Sequence, residues 1–274
     1  MTDNLETTLK LSDLFGKLDP EKKVEIIKPK VIRNETLDLI VNGYEKGLEN
    51  FGLYLEGKLK IEIPKDEPVI YYIAKSSAPL KTSSDNITEF SLLLGEHENN
   101  KYFEDFTGCY LSALINSSDD KDFKIFTNYL SKTIHDIGYE NTKNIDVNGN
   151  AGDRVGSDMK KGKITVNGNA GDEVGCGMED GKITINGNAG YWVGDGMVDG
   201  KITINGNAGD LVGSDMKKGK ITVNGNADGG VGSGMEGGKI YLNGDYKSLA
   251  GYIPGGNIYH KGKLIVENGE RLWN

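Results

Sequence analysis

Cysteine is nearly missing from this chain. Cys109 and Cys176 are its only two, and they lie in different segments with no Cys-x-x-Cys pair. That excludes a disulfide framework and a cysteine-rich metal ribbon, and it fits a reducing compartment. Histidine is almost as scarce. His97, His135 and His260 are the three, and none stands at ligand spacing from another or from a cysteine, so no metal site is expected. Apolar residues make up 36% of the sequence, and no apolar run approaches the roughly 20 residues of a membrane-spanning helix. Positive charge is in deficit: 32 Lys and Arg against 41 Asp and Glu give a net charge of −9. Nucleic acid and anionic membrane surfaces are poor partners for such a chain, because phosphate binding needs clustered cations. The opening Met1-Thr2-Asp3-Asn4 lacks the basic and apolar regions of a secretory signal. A cytoplasmic location is therefore the expectation.

Glycine is what the chain has in excess: 39 residues, about twice the average frequency. Proline does not rise with it, so neither collagen nor a linker explains the excess. A repeat does. Asn-Gly recurs at 148, 167, 186, 205, 224 and 243, always 19 residues apart. The unit reads Asn-Gly-Asn-Ala-Gly-Asp-x-Val-Gly-x-x-Met-x-x-Gly-Lys-Ile-Thr-Val with small variations. Fixed-period self-similarity means stacked units, each too small to bury a core alone.

A unit of this size with glycine-bearing corners cannot hold two packed helices. Each instead contains one alternating strand, from Lys163 to Val166 in the first and at the matching places in the others. With one unit per coil, equivalent residues stack at the strand spacing of roughly 4.8 Å. Five inward ladders follow: Ile164 with its equivalents to Ile240, Val166 to Leu242, Val155 to Val231, Met159 to Met235, and Ala151 to Ala227. Lys163, Lys182, Lys201, Lys220 and Lys239 should point to solvent. Asn150, Asn169, Asn188, Asn207 and Asn226 are placed to stack as a side-chain amide ladder. The sixth coil, from Asn243, is irregular, with Pro254 in the Met position, as terminal coils often are. A last strand is expected over 262–266.

Residues 1–143 are more varied and carry five of the six prolines. Asp19-Pro20 reads as the start of a short helix over 21–27. β-branched and aromatic runs bounded by Gly, Pro and Asn suggest strands at 37–41, 53–55, 59–63, 69–74 and 87–94. Phe123, Phe126, Tyr129, Leu130 and Ile134 suggest an amphipathic helix over 119–137. The whole reading is a small α+β domain over 1–143, then an all-β right-handed parallel β-helix of about six coils over 144–274.

The run NGNAGDEVGCGMEDGKITINGNAGYWVGDGM, and the closing GGNIYHKGKLIV, resemble the GXGXG repeat domain over about 144–266. That domain forms one of the subunits of the formylmethanofuran dehydrogenases of methanogens, the C-terminal domain of the glutamate synthase large subunit, and several stand-alone archaeal proteins. The resemblance implies a structural role, holding catalytic domains or subunits of an oxidoreductase complex together, with no catalytic residue of its own.

Other motifs have bland explanations. Gly232-Ser233-Gly234-Met235-Glu236-Gly237 matches a dinucleotide fingerprint, but that motif needs a preceding strand and a following helix, and the repeat accounts for every glycine. Asp153, Asp172 and Asp210 share one repeat position, broken by Tyr191 and Gly229. They read as a solvated acidic edge rather than a calcium site. Cys176 has no base in its coil, and Cys109 reads as a core thiol. His135 reads as a helix-face residue and His260 as a surface residue near the cap. No cofactor site emerges.

One departure is more informative. Tyr191 replaces the sixth-position aspartate, and Trp192 and Leu211 follow at the seventh position of successive coils. These three form a candidate interface, either with another chain or with the N-terminal domain. The leading expectation is a non-catalytic scaffold subunit that binds partner proteins or itself. The alternatives are an enzyme with chemistry near His97, using Asp85, Glu96 or Glu98, a glutamate synthase-related accessory protein, and an adhesive surface protein.

Overall fold

The computed structural model describes residues 31–272 apart from 32, 66 and 80, so the helix expected over 21–27 lies outside the described residues. The remainder is a small helical layer followed by a parallel β-helix.

Among the described residues four α-helices precede the strands: α1 (Glu35–Leu55), α2 (Val69–Ser77), α3 (Ser84–Leu93) and α4 (Phe103–Ser117). Three of the expected strands are thus helical, and 53–55 falls inside α1. Helix α1 starts where the Asn34 side chain accepts the Leu37 N–H at 2.9 Å, with Glu35 and Asp38 in the electropositive first turn. Its buried residues Leu37, Ile40, Val41, Tyr44, Leu48 and Phe51 fall at helical spacing. Asn42-Gly43 masks that spacing by resembling a strand terminator. Gly43 is instead a close-packing residue, since a Cβ there would collide with the Ser77 carbonyl. Gly47 does the same for the Phe106 ring. Short β-branched runs such as 69–74 are compatible with either helix or strand, and here burial of Tyr71, Ile73 and Ala74 against the other helices decides. Residues 59–63 form no regular element.

The β-helix has one sheet of ten strands in sequence order. They are β1 (Asp122–Phe126), β2 (Asn144–Asn148), β3 (Lys163–Val166), β4 (Lys182–Ile185), β5 (Lys201–Ile204), β6 (Lys220–Val223), β7 (Lys239–Leu242), β8 (Asn257–His260), β9 (Lys263–Glu267) and β10 (Glu270–Arg271). Strands β1 to β8 pair in parallel, in register across the repeat: Ile164 faces Ile183, then Ile202, Ile221, Ile240 and Ile258. All five inward ladders are buried. The Ile, Val and Met columns are at most 1% exposed, and the Ala column at most 9%.

The helix expected over 119–137 is instead the first turn of the stack. Phe123 and Ile125 alternate inward on β1, which pairs with β2. Ile134 and Ile137 are fully buried further round the turn. Gly138, at positive φ, abuts Ile164 as Gly156 abuts Ile183, so it is the first corner glycine of the series. Its coil holds Asn141 where later coils hold Met. That buried amide donates to the Lys143 carbonyl at 2.7 Å and accepts the Lys143 N–H at 3.0 Å.

Both ends of the stack are covered. Helix α3 lies on β1, and α4 covers the rest of the first turn, in one continuous core with the coils. The Ser112 hydroxyl on α4 donates to the Asp136 carbonyl and accepts from Gly138. At the other end β8, β9 and β10 turn antiparallel, and Val266 closes over Ile258.

Candidate interface

The seventh position of the regular coils sits at a corner with an unusual backbone. Arg154, Glu173, Trp192 and Leu211 all have positive φ, between 57° and 65°. This left-handed region costs a residue bearing a Cβ roughly 1–2 kcal/mol. The stack holds it in place: Glu173 donates its N–H to the Tyr191 carbonyl at 2.8 Å, Trp192 to Asp210 at 2.9 Å and Leu211 to Gly229 at 2.8 Å. The corner would suit glycine, and Gly230 occupies it one coil later. Large side chains stand there at a local cost.

At Arg154 the reason is visible. Its guanidinium makes two 2.8 Å bonds to the buried Asp136 carboxylate, tying the first turn to the repeat, and Asp136 pushes the arginine pKa up. The repeat pattern gives no sign of this pair, because Asp136 lies in a turn that does not match it. At Trp192 no internal partner of that kind exists among the described residues. Its ring meets Tyr191 edge-on, with centroids 6.3 Å apart at 68°. The two remain 41% and 47% exposed, so the helical layer does not cover them. The Tyr191 ring lies over Gly209, where a Cβ would sit 2.8 Å from its Cδ1. Its N–H is held by the Asp172 carboxylate at 2.8 Å. Leu211 occupies the next corner, half-buried against Gly230.

The aspartates have a structural task. Asp153 accepts the Asp172 N–H at 2.9 Å, and Asp210 accepts the Gly229 N–H at 2.6 Å, each bridging to the following coil. Among the described residues no group of three His, Cys, Asp or Glu side chains is placed to hold a metal ion. The asparagine expectation is corrected in the same way. Asn150 and its equivalents accept the backbone N–H of the next coil at 2.8 to 2.9 Å. The side-chain amide ladder belongs to Asn148, Asn167, Asn186, Asn205, Asn224 and Asn243.

The remaining candidates are dispersed. The Gly232–Gly237 motif is a coil corner that leads into strand β7, not into a helix. Cys109 is buried, and burial pushes its thiol well up. Cys176 is half-buried and pushed up to about 11, by burial first and then by Asp195, Glu173 and Asp158. His135 sits in the first turn rather than on a helix, and its Nδ1 accepts the Asp153 N–H at 2.8 Å. His260 is half-buried, edge-on to Tyr246. His97 packs edge-on against Tyr44, and burial lowers its pKa. The acids around it are otherwise employed. Glu96 pairs with Arg33, Glu98 accepts from Ser131 and Lys132, and Asp85 lies in the first turn of α3. Among the described residues no helix is long and apolar enough to cross a membrane.

No protein-family model matches the chain, and no curated protein does. Among solved structures it is similar to a chain of the formyltransferase/hydrolase complex FhcABCD from Methylorubrum extorquens in complex with methylofuran. The two are 26% identical with a TM-score of 0.37, over 48% of this chain and 59% of that one.

Proposed function

We propose that the protein is a structural subunit of a cytoplasmic, oxidoreductase-type complex. The β-helix is a rigid frame without chemistry of its own, in the role implied by its resemblance to the GXGXG repeat domains of formylmethanofuran dehydrogenase and glutamate synthase. One observation carries this reading: the solvent-open Tyr191–Trp192 pair, held in a strained corner of an otherwise regular stack. Exposed aromatic anchors on rigid backbone are the usual centre of a protein–protein contact. The covered ends direct partners to the sides of the stack. The two free cysteines, one of them buried, fit a reducing compartment.

The test is native mass measurement on protein isolated from its source cells, with the wild type compared with Tyr191→Ser/Trp192→Ser. The proposal expects a defined larger assembly that the double variant loses while retaining the wild-type melting temperature. A lone wild-type monomer, or an assembly indifferent to the double variant, overturns it.

A further inference from the structure

Six Asn-Gly steps stand at equivalent coil corners, and the stack does not hold them equally. In the middle of the ladder, Asn167, Asn186, Asn205 and Asn224 each donate Nδ2 to the preceding coil and accept from the following one, at 2.7 to 3.0 Å except for the 3.2 Å bond from Asn167 to Asn148. The glycine nitrogens beside them are occupied as well. Gly168, Gly187, Gly206 and Gly225 donate to the glycine carbonyl one coil back at 2.9 to 3.0 Å. Both groups needed for attack of the glycine nitrogen on the asparagine side chain are therefore clamped.

Asn243–Gly244 differs on both counts. Asn243 donates to Asn224 at 2.7 Å, but no asparagine follows it to use its own oxygen. Gly244 has no backbone acceptor among the described residues. The next coil is the irregular one, where Lys261 rather than an Asn-Gly step returns to this edge and bonds the Leu242 carbonyl. The other Asn-Gly steps are each held by at least one group: Asn148 Oδ1 accepts from Asn167 at 3.2 Å, Gly269 donates to Gly256 at 3.0 Å, and Gly43 is packed inside α1.

We infer that Asn243 is the site of spontaneous covalent modification in this protein, by deamidation through Gly244. The Gly244 nitrogen bonds to Cγ of Asn243 and closes a succinimide. The Cγ–Nδ2 bond breaks, and the Gly244 amide proton passes through water to the departing nitrogen, which leaves as ammonia. Water then opens the ring at either carbonyl, giving aspartate or isoaspartate, with no change in oxidation state. Isoaspartate lengthens the main chain by a methylene at the junction between the regular coils and the C-terminal cap.

The experiment ages the full-length folded protein at mildly alkaline pH and follows each step by mass spectrometry of tryptic peptides. Cleavage after the repeated lysines places the steps from Asn167 to Asn243 on separate peptides. Conversion at Asn243 is expected roughly tenfold faster than at any mid-stack asparagine, the scale set by losing two hydrogen bonds that hold the reacting groups. In denaturant the rates should converge. Asn205→Ala removes one clamp from each neighbour, so conversion at Asn186 and Asn224 should rise several-fold, with circular dichroism confirming the fold. Equal rates across the folded stack, or first conversion at Asn148, Asn268 or Asn42, overturn the inference.

Discussion

Trp192 and Gly194 share a corner and make opposite demands on the backbone. Gly194 has φ 72°, and a Cβ there would meet the Ile221 Cδ1 at 2.5 Å. Gly194→Ala should cost about 2–4 kcal/mol by combining a left-handed strain with overpacking. Trp192 has φ 57° with its side chain outward. Trp192→Gly relieves strain and adds chain entropy in the unfolded state, so it should lie between neutral and about 1 kcal/mol stabilising. Urea unfolding of both variants measures the contrast, and a clear loss for Trp192→Gly would show that the indole contributes to folding. Cys176 adds a pH dependence. Its thiol, pushed up to about 11, should react sluggishly with a thiol reagent near neutral pH and accelerate as pH rises toward that value. The sign for stability follows. The proton is held more tightly in the folded state, so stability is undiminished below the ordinary thiol value and declines as pH climbs through about 11.

At the scale of the element, the lysine column is the feature that opposes folding. Lys163, Lys182, Lys201, Lys220 and Lys239 pair directly across β3 to β7, are all exposed or nearly so, and make no ion pair among the described residues. Lys220 alone finds another partner, the Tyr241 ring at 4.2 Å. Charges at a strand spacing of roughly 4.8 Å repel by about 1 kcal/mol in water, and salt screens this. The melting temperature should therefore rise from low to moderate salt. Lys201→Glu should stabilise by about 0.5–1 kcal/mol at low salt and less at high salt. A melting temperature that falls with salt would contradict this account. The strands themselves were legible because period-two alternation and exact repetition coincide in Lys163–Val166 and its copies. Helices α2 and α3 were not, because short β-branched runs fit either period, and α1 was not, because glycine carries two meanings. At Gly43 and Gly47 it marks close approach of helices, whereas the sequence alone presents it as a terminator. The first coil escaped notice for a related reason. Asn141 stands for Met, and its corner glycine comes 18 residues before Gly156 rather than 19, so a pattern search finds nothing while the packing is conserved in kind. The candidate residues Tyr191, Trp192 and Leu211 stood out as breaks in the repeat, and the structure added that Trp192 sits in a conformation its side chain disfavours.

For the whole molecule, the two covered ends decide how it behaves in solution. A β-helix with a bare end presents unpaired strand groups to the next molecule. Here α3 and α4 close one end and β9 with β10 the other. Deleting residues 262–272 should convert a protein of fixed size into one that associates in a concentration-dependent manner, visible by light scattering, while far-ultraviolet circular dichroism keeps its β signature. The regular register has a further consequence. Since β3 to β6 meet through the same residue types at every junction, one of these coils can be duplicated or excised without creating a new kind of contact. Length is then adjustable in steps of roughly 4.8 Å, and each step moves everything beyond it by the same increment. A gene encoding such a chain can change the distance between its two capped ends by unequal recombination between near-identical units, so spacing is a heritable quantity in this protein, set by counting coils.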